Sequence, residues 1–257
     1  MLQPHSFLWH YLWVGPHAFL LVLAMFTWRR DLRLHSPAFF TYLVYEGIYG
    51  LVLYVLDRLP SVSNDTYWRA VSAGSVIELS VKIAAILELS SDLIRLRPSL
   101  GGARKWLVGC VGAVLAALAT LAAAHTHAGT YVLVARATAL EQGAYMLEAG
   151  LLLSIFLFAA YQHLVWERRS LGIALGLSIS ACVGLGVSAA HANGIFFRVN
   201  YLDFVNMGSY HLCVLIWFYY LVAPDWHQTN FRHKTMGETR EALVSPPLRR
   251  LMAGLGK

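Results

Sequence analysis

The sequence contains few charged residues for its length. Asp, Glu, Lys and Arg make up 13% of 257 residues, whereas about 25% is typical of a soluble domain. The deficit extends along most of the chain, and 58% of the residues are hydrophobic. This composition excludes an ordinary soluble protein, and it predicts an integral membrane protein rather than a soluble domain with a single anchor.

Cysteine is scarce as well. Cys110, Cys182 and Cys213 lie in three different apolar segments, and none belongs to a CxxC motif. This spacing gives no sign of a disulfide framework, so we expect three small buried side chains with free thiols. The N-terminal sequence MLQPHSFLWHYLW also lacks a basic region before its apolar residues, which predicts a true helix rather than a cleaved signal peptide.

Long apolar segments are what the sequence has in abundance. A helix needs about 20 mostly apolar residues to cross a bilayer. Seven segments meet this requirement, at about 7–28, 38–58, 70–94, 106–125, 130–163, 170–192 and 202–223. We therefore predict an all-α, polytopic membrane protein with seven transmembrane helices in residues 1–223. The basic tail, 224–257, is predicted to be disordered.

The basic residues are distributed unevenly between the two sides of the predicted bundle. Fifteen Lys and Arg follow the first, third, fifth and seventh segments, whereas the opposite loops contain only Arg58, Arg69 and Arg198. Because cytoplasmic loops are enriched in Lys and Arg, the N-terminus is predicted to lie outside and the C-terminus in the cytoplasm of a cell inner membrane or plasma membrane. These residues form no aromatic-interleaved groove, so the lipid bilayer is the expected partner and nucleic acid is not.

Seven ionisable residues lie inside the predicted helices. An ionisable side chain at mid-bilayer costs about 2.5–3.5 kcal/mol and usually faces the bundle interior, where it finds a partner. Acids outnumber bases, so either some glutamates carry a proton or a cation or amine ligand balances their charge. Both possibilities disfavour an anionic substrate. The residues are Glu46, Glu78, Glu88, Glu141 and Glu148 against Lys82 and Arg136.

Helical spacing groups several of these residues into one candidate site. Glu78 and Lys82 are four residues apart and therefore share a helix face. Glu141, Tyr145 and Glu148 form a polar stripe on the fifth segment. We predict a polar pocket in the outer half of the bundle that contains these five residues. Three further residues of similar depth are predicted as secondary members, namely His17, His211 and Glu46.

Two other patterns indicate helix packing rather than a ligand site. Glu88 is six residues from Lys82 and is turned away from its face. Together with Asp92 and Arg95 it predicts a structural ion-pair ladder near the cytoplasmic end. Gly172 and Gly176 are four residues apart on the sixth segment, a spacing that lets another helix approach closely.

Several function classes remain open at this point. A sensor or receptor would bind a small molecule or cation from outside and act through a separate cytoplasmic partner. A proton- or cation-coupled transporter would use glutamates at two depths as a relay. A membrane enzyme or redox protein could hold a haem between His17 and His211, or a metal at the histidines near the outer surface, namely His10, His125, His127 and His191. Alternatively, the polar residues only stabilise the bundle.

The sequence ranks these classes but assigns no catalytic residue and no metal ligand. The histidines lack the spacing of a metal-binding motif on one helix face. The last segment lacks the lysine that a retinal Schiff base requires, so retinal is disfavoured. We therefore place a sensor ahead of a transporter, and a transporter ahead of an enzyme.

Overall fold

The computed structural model describes residues 6–95, 109, 130–164, 166–192 and 199–223. Every regular element among them is helical. The elements are α1 (Phe7–Arg29), a 3₁₀ turn (Leu32–Leu34), α2 (Pro37–Arg58), α3 (Asn64–Arg95), α4 (Thr130–Tyr161), α5 (Arg168–Ala192) and α6 (Val199–Val222).

Six of the seven predicted segments are therefore helices, and the predicted fifth, sixth and seventh segments correspond to α4, α5 and α6. The predicted fourth segment, 106–125, lies outside the described residues apart from Gly109, as does the tail 224–257. The helices belong to one compact unit that extends to Leu221, and only Val222 and Ala223 are described beyond it.

All six α-helices are long enough and apolar enough to cross a membrane. Many of their large apolar side chains point away from the protein interior. Leu153 and Leu157, for example, are 59% and 62% exposed. Such surfaces are stable against lipid chains but not against water. The protein is therefore a multi-pass helical membrane protein.

The helix directions define two faces of the bundle. Helices α1, α2 and α3 pack consecutively and are joined by short connections, so they alternate in direction. We call the face where α1 and α3 begin the Phe7 face, and the face where α1 ends and α2 begins the Arg29 face. The end of α3, the start of α5 and the end of α6 lie at the Arg29 face, because residues from all three line one cavity with the end of α1.

A carboxylate from α3 caps the start of α2. Glu88 Oε2 accepts hydrogen bonds from the backbone N–H groups of Ala38 and Phe39, at 2.9 and 3.0 Å. The preceding Ser36 makes no side-chain capping bond. The first N–H groups of a helix lack partners within it and favour a negative charge. Glu88 therefore joins two helices, whereas its predicted ladder with Asp92 and Arg95 stays a prediction, because the Arg95 side chain lies outside the described part.

The predicted small-residue face of α5 contacts α6 through large aromatic side chains rather than through its backbone. Gly172 lies against the Tyr220 side chain and Gly176 against the Trp217 ring. The Trp217 indole Nε1–H donates a hydrogen bond of 3.4 Å to the Ile173 carbonyl. The two glycines therefore leave the space that two large aromatic side chains of α6 occupy.

Three buried aromatic rings form a layer across the bundle. The Trp217 ring centroid lies 5.5 Å from that of Phe39 and 5.8 Å from that of Tyr42, and both contacts are edge-to-face. The Phe39 and Tyr42 centroids are 6.0 Å apart. None of the three side chains is more than 3% exposed. We call Phe39, Tyr42 and Trp217 the aromatic layer, and it joins α2 to α6 by dense, apolar packing.

Replacing Gly176 by alanine should destabilise the protein, because the added Cβ would overlap the Trp217 ring. We expect the free energy of unfolding in detergent to fall by about 1–3 kcal/mol. Gly186 lies on the same helix, and no atom of the described residues is near its Cβ position, so Gly186→Ala is the matched control and should be neutral or slightly stabilising. Equal stabilities of the two variants would contradict this packing.

Replacing Glu88 by alanine should also destabilise the protein. The change leaves two N–H groups at the start of α2 without their acceptor, at a cost of about 1–3 kcal/mol. Glu88→Gln keeps an acceptor oxygen and should lose less. Thermal unfolding in detergent measures both variants, and a Glu88→Ala protein as stable as wild type would rule out the capping role.

Candidate functional site

A buried ammonium group lies between two carboxylates of the bundle. Lys82 Nζ is 2.8 Å from Glu78 Oε1 on its own helix and 3.6 Å from Glu148 Oε2 on α4. The side chains of Lys82 and Glu148 are 7% and 2% exposed, and that of Glu78 is 23% exposed. The Glu78–Lys82 ion pair expected from the four-residue spacing on α3 is thus present. Glu148 of the predicted stripe provides a second carboxylate from α4.

Two tyrosine rings complete the surroundings of the ammonium group. Lys82 Nζ lies 5.8 Å from the ring centroid of Tyr145 on α4 and 5.9 Å from that of Tyr42 on α2. Both distances are within the range of about 6 Å in which a ring face attracts a cation. The Tyr145 ring also packs against Gly184 of α5. Residues of α2, α3 and α4 therefore surround the charge of Lys82.

Glu46 contributes a third carboxyl group to this interior. It is buried on α2, one turn after Tyr42, and it lies near Glu78, Lys82 and Glu148. We call this group of six residues the Lys82 cluster. It consists of Glu46, Glu78, Lys82, Glu148, Tyr42 and Tyr145. The salt bridges found among the described residues pair Lys82 with Glu78 and Glu148 but not with Glu46.

Several buried polar atoms in the cluster and beside it have no hydrogen-bond partner among the described residues. They are Glu46 Oε2, Glu148 Oε1 and the hydroxyl oxygens of Tyr42 and Tyr210. The Tyr210 hydroxyl lies near the Glu46 carboxyl but outside hydrogen-bonding geometry. More than about 90% of buried polar groups in proteins have partners. This group of acceptors and hydroxyls is therefore suited to accept or exchange a proton.

The cavity beside Lys82 is small. Its volume is about 40 Å³, enough for about one or two water molecules, whereas sites for organic ligands usually occupy about 300–1,000 Å³. Its size favours a proton, a water molecule or a small ion over an organic ligand. The cavity is lined by Ser75, Glu78, Leu79, Lys82, Ala144, Tyr145 and Glu148.

Five of the eight predicted site residues thus lie together, namely Glu46, Glu78, Lys82, Tyr145 and Glu148. The sixth, Glu141, is part of α4, but its side chain lies outside the described part of the chain. Sequence reasoning missed Tyr42 and Tyr210. The position of Tyr42 one turn before Glu46 was the available signal, whereas Tyr210 had none.

The two intramembrane histidines have different surroundings. His17 Nδ1–H donates a 2.6 Å hydrogen bond to the Trp13 carbonyl, and its ring lies 5.5 Å from that of Tyr210, at the edge of the cluster. His211 instead contacts Tyr11 and Phe19, which are partly exposed on the outside of the bundle. The two histidines therefore do not lie in one common site.

Comparison with known proteins adds no assignment. No protein-family model matches the chain, and neither a curated protein nor a solved structure matches it. Among the described side chains, no group of three or more His, Cys, Asp or Glu is placed to hold a metal ion. The function is therefore argued from the Lys82 cluster itself.

Replacing Lys82 by methionine should strongly destabilise the protein, because it leaves Glu148 buried without its cation. Breaking a buried ion pair from one side typically costs about 3–5 kcal/mol. Adding Glu148→Gln should restore most of this loss, and adding Glu78→Gln should restore less because Glu78 is more exposed. Unfolding in detergent measures all three variants.

The matched control is the exposed pair of Arg69 and Asp65, which has the same four-residue spacing and a distance of 2.8 Å. Arg69→Met should change the stability by less than about 1 kcal/mol, as is typical of surface ion pairs. If Lys82→Met and the double variant with Glu148→Gln were equally stable, Lys82 and Glu148 would not be an energetically coupled pair.

Proposed function

We propose that this protein is a proton-responsive membrane sensor and that the Lys82 cluster is its proton-binding site. The observation that carries the proposal is that two carboxylates pair with one ammonium group inside the bundle and a third carboxyl group, that of Glu46, lies near them without a salt bridge to it. The small-molecule receptor that the sequence placed first has less support, since about 40 Å³ does not hold an organic ligand.

Charge balance favours a proton as the bound species. With Glu46, Glu78 and Glu148 all ionised and Lys82 charged, two negative charges would remain uncompensated in the interior. Each uncompensated buried charge costs several kcal/mol. A proton on one carboxyl removes a charge and also supplies a hydrogen-bond donor. A metal cation is less suited, because the ammonium group already present would repel it.

Helix directions support seven crossings. Helix α3 ends at the Arg29 face, and α4 also ends there, since a short connection leads from Tyr161 to the start of α5. Helix α4 must then begin at the Phe7 face. The described end of α3 and the described start of α4 thus lie at opposite faces, which supports a seventh span in the apolar segment 106–125.

The basic residues support the proposed orientation. Arg29, Arg30, Arg168 and Arg169 lie at the ends of helices on the Arg29 face, which would be cytoplasmic under the positive-inside rule. The N-terminus would then lie outside a cell inner membrane or plasma membrane. Ser75 lies on the outer side of Lys82 along α3, so protons would reach the cluster from outside.

The aromatic layer favours a sensor over a transporter. Tyr42 belongs both to the Lys82 cluster and to the aromatic layer, so a charge change at the cluster acts directly on Trp217 and, through it, on α5. The same layer separates the cluster from the Arg29 face, so a proton could pass to that face only if the layer opened, as alternating access would require. A cytoplasmic partner would read the resulting helix shift.

Infrared difference spectroscopy between neutral and acidic pH tests the proposal. We expect acidification to produce the C=O stretching band of a protonated buried carboxyl group, since protons bind to the excess of carboxylates. Glu46→Gln or Glu148→Gln should remove or shift that band. Asp65→Asn changes an exposed carboxyl and serves as the control. A spectrum that both cluster variants leave unchanged would contradict the proposed site.

Proteoliposomes with an internal pH dye separate the sensor from the transporter. A sensor should show no proton flux beyond protein-free vesicles when a pH gradient is imposed. Flux that disappears in Glu148→Gln would refute the sensor and identify a proton-coupled transporter that uses the same cluster.

A further inference from the structure

A second and larger cavity opens at the Arg29 face. Its volume is about 290 Å³, close to the lower end of the range for organic ligands of about 300–1,000 Å³. The ends of five helices, α1, α2, α3, α5 and α6, contribute to its wall. The aromatic layer lies between this cavity and the Lys82 cluster, so the two sites are distinct.

The floor of this cavity is apolar and fully buried. Phe39, Leu43, Ile173 and Leu221 line it and are each at most 8% exposed. Buried hydroxyl groups stand beside these side chains, and that of Thr27 donates to the Ala24 carbonyl at 2.8 Å. An apolar group of a ligand placed against this floor would be removed from water, which is the main source of affinity in such sites.

The rim of the cavity carries charges of both signs. Arg169 and His35 lie there together with Asp92 and Glu167. Arg169 Nε is 4.0 Å from Glu167 Oε1, and the two side chains are 38% and 68% exposed. This pair is therefore loose and partly solvated. The planar guanidinium group has five N–H donors in a fork that suits a carboxylate or phosphate.

The positive and negative side chains at the rim restrict which charges a ligand can carry. An anion would meet Arg169 but also the carboxylates of Asp92 and Glu167, and a cation would meet those carboxylates but also Arg169. A molecule that carries an ammonium and an anionic group can satisfy both sets at once. Its apolar part would then lie on the floor.

We propose that this cavity binds a zwitterion with an apolar body, its anionic group at Arg169 and its ammonium group at Glu167. Two sources share this chemistry. One is a free amino acid with an apolar side chain, and the other is the headgroup of an aminophospholipid from the adjoining leaflet.

Three probes with the same apolar body test the charge requirement for the free molecule. They are L-phenylalanine, 3-phenylpropionate and 2-phenylethylamine, which are a zwitterion, an anion and a cation, respectively. We expect L-phenylalanine to raise the melting temperature of the full-length protein in detergent more than either analogue. For the lipid, native mass spectrometry should show retained phosphatidylethanolamine in preference to phosphatidylglycerol.

Variants assign the binding to this cavity. Arg169→Gln and Glu167→Gln should each weaken binding of the preferred zwitterion roughly tenfold or more, because each removes a charge-assisted hydrogen bond. Ser170→Leu fills the cavity without changing its charge and should weaken binding similarly. Arg69→Gln changes an exposed arginine at the Phe7 face and should bind like wild type. The melting temperature without ligand reports whether each variant is folded.

Each outcome decides the proposal. Selective binding of L-phenylalanine, or selective retention of phosphatidylethanolamine, supports it and identifies the source, provided that the cavity variants lose the effect. Equal effects of all three phenyl compounds, no selectivity in either arm, or selectivity that survives both Arg169→Gln and Ser170→Leu would overturn it.

Discussion

The buried charge of Lys82 is the constraint on which the arrangement of the central helices depends. An ammonium group inside a membrane is stable only where carboxylates lie close to it. Glu78 satisfies this need within α3, but Glu148 must come from α4, and the ring of Tyr42 comes from α2. The rotation of three helices about their axes is thus fixed by one side chain. Apolar residues alone would fix it less strictly, because lipid is as apolar as the helix surface.

Features that depend on a single helix could be predicted from the sequence. The six described spans follow from apolar length, and the Glu78–Lys82 pair follows from a four-residue spacing. Features that depend on how helices rotate against each other could not. Tyr210 and His211 are neighbours at nearly the same depth, yet the first faces the cluster and the second contacts Tyr11 and Phe19. Its depth in the membrane predicted His211 as a site residue, but the packing of the helices brings Tyr210 to the site instead.

The aromatic layer lies between two differently lined cavities of the bundle. On the Phe7 side, polar groups meet in a space that admits little more than water. On the Arg29 side, a wider cavity combines an apolar floor with charges of both signs. Phe39 belongs to the layer and also lines the wider cavity, and Tyr42 belongs to the layer and also faces Lys82. A shift of Phe39 or Tyr42 that is caused at one cavity would therefore displace side chains that line the other.

The cap that Glu88 places on α2 has a mechanical consequence. Because the first turn of α2 is completed by a carboxylate from α3, the two helices are clamped at one end and form a stiff hairpin. A sliding or tilting motion would then occur more easily along the seam between α3 and α4, which is held at Lys82 by the longer contact of 3.6 Å. In such a motion α2 and α3 would move together as one unit, and the bundle would open between α3 and α4.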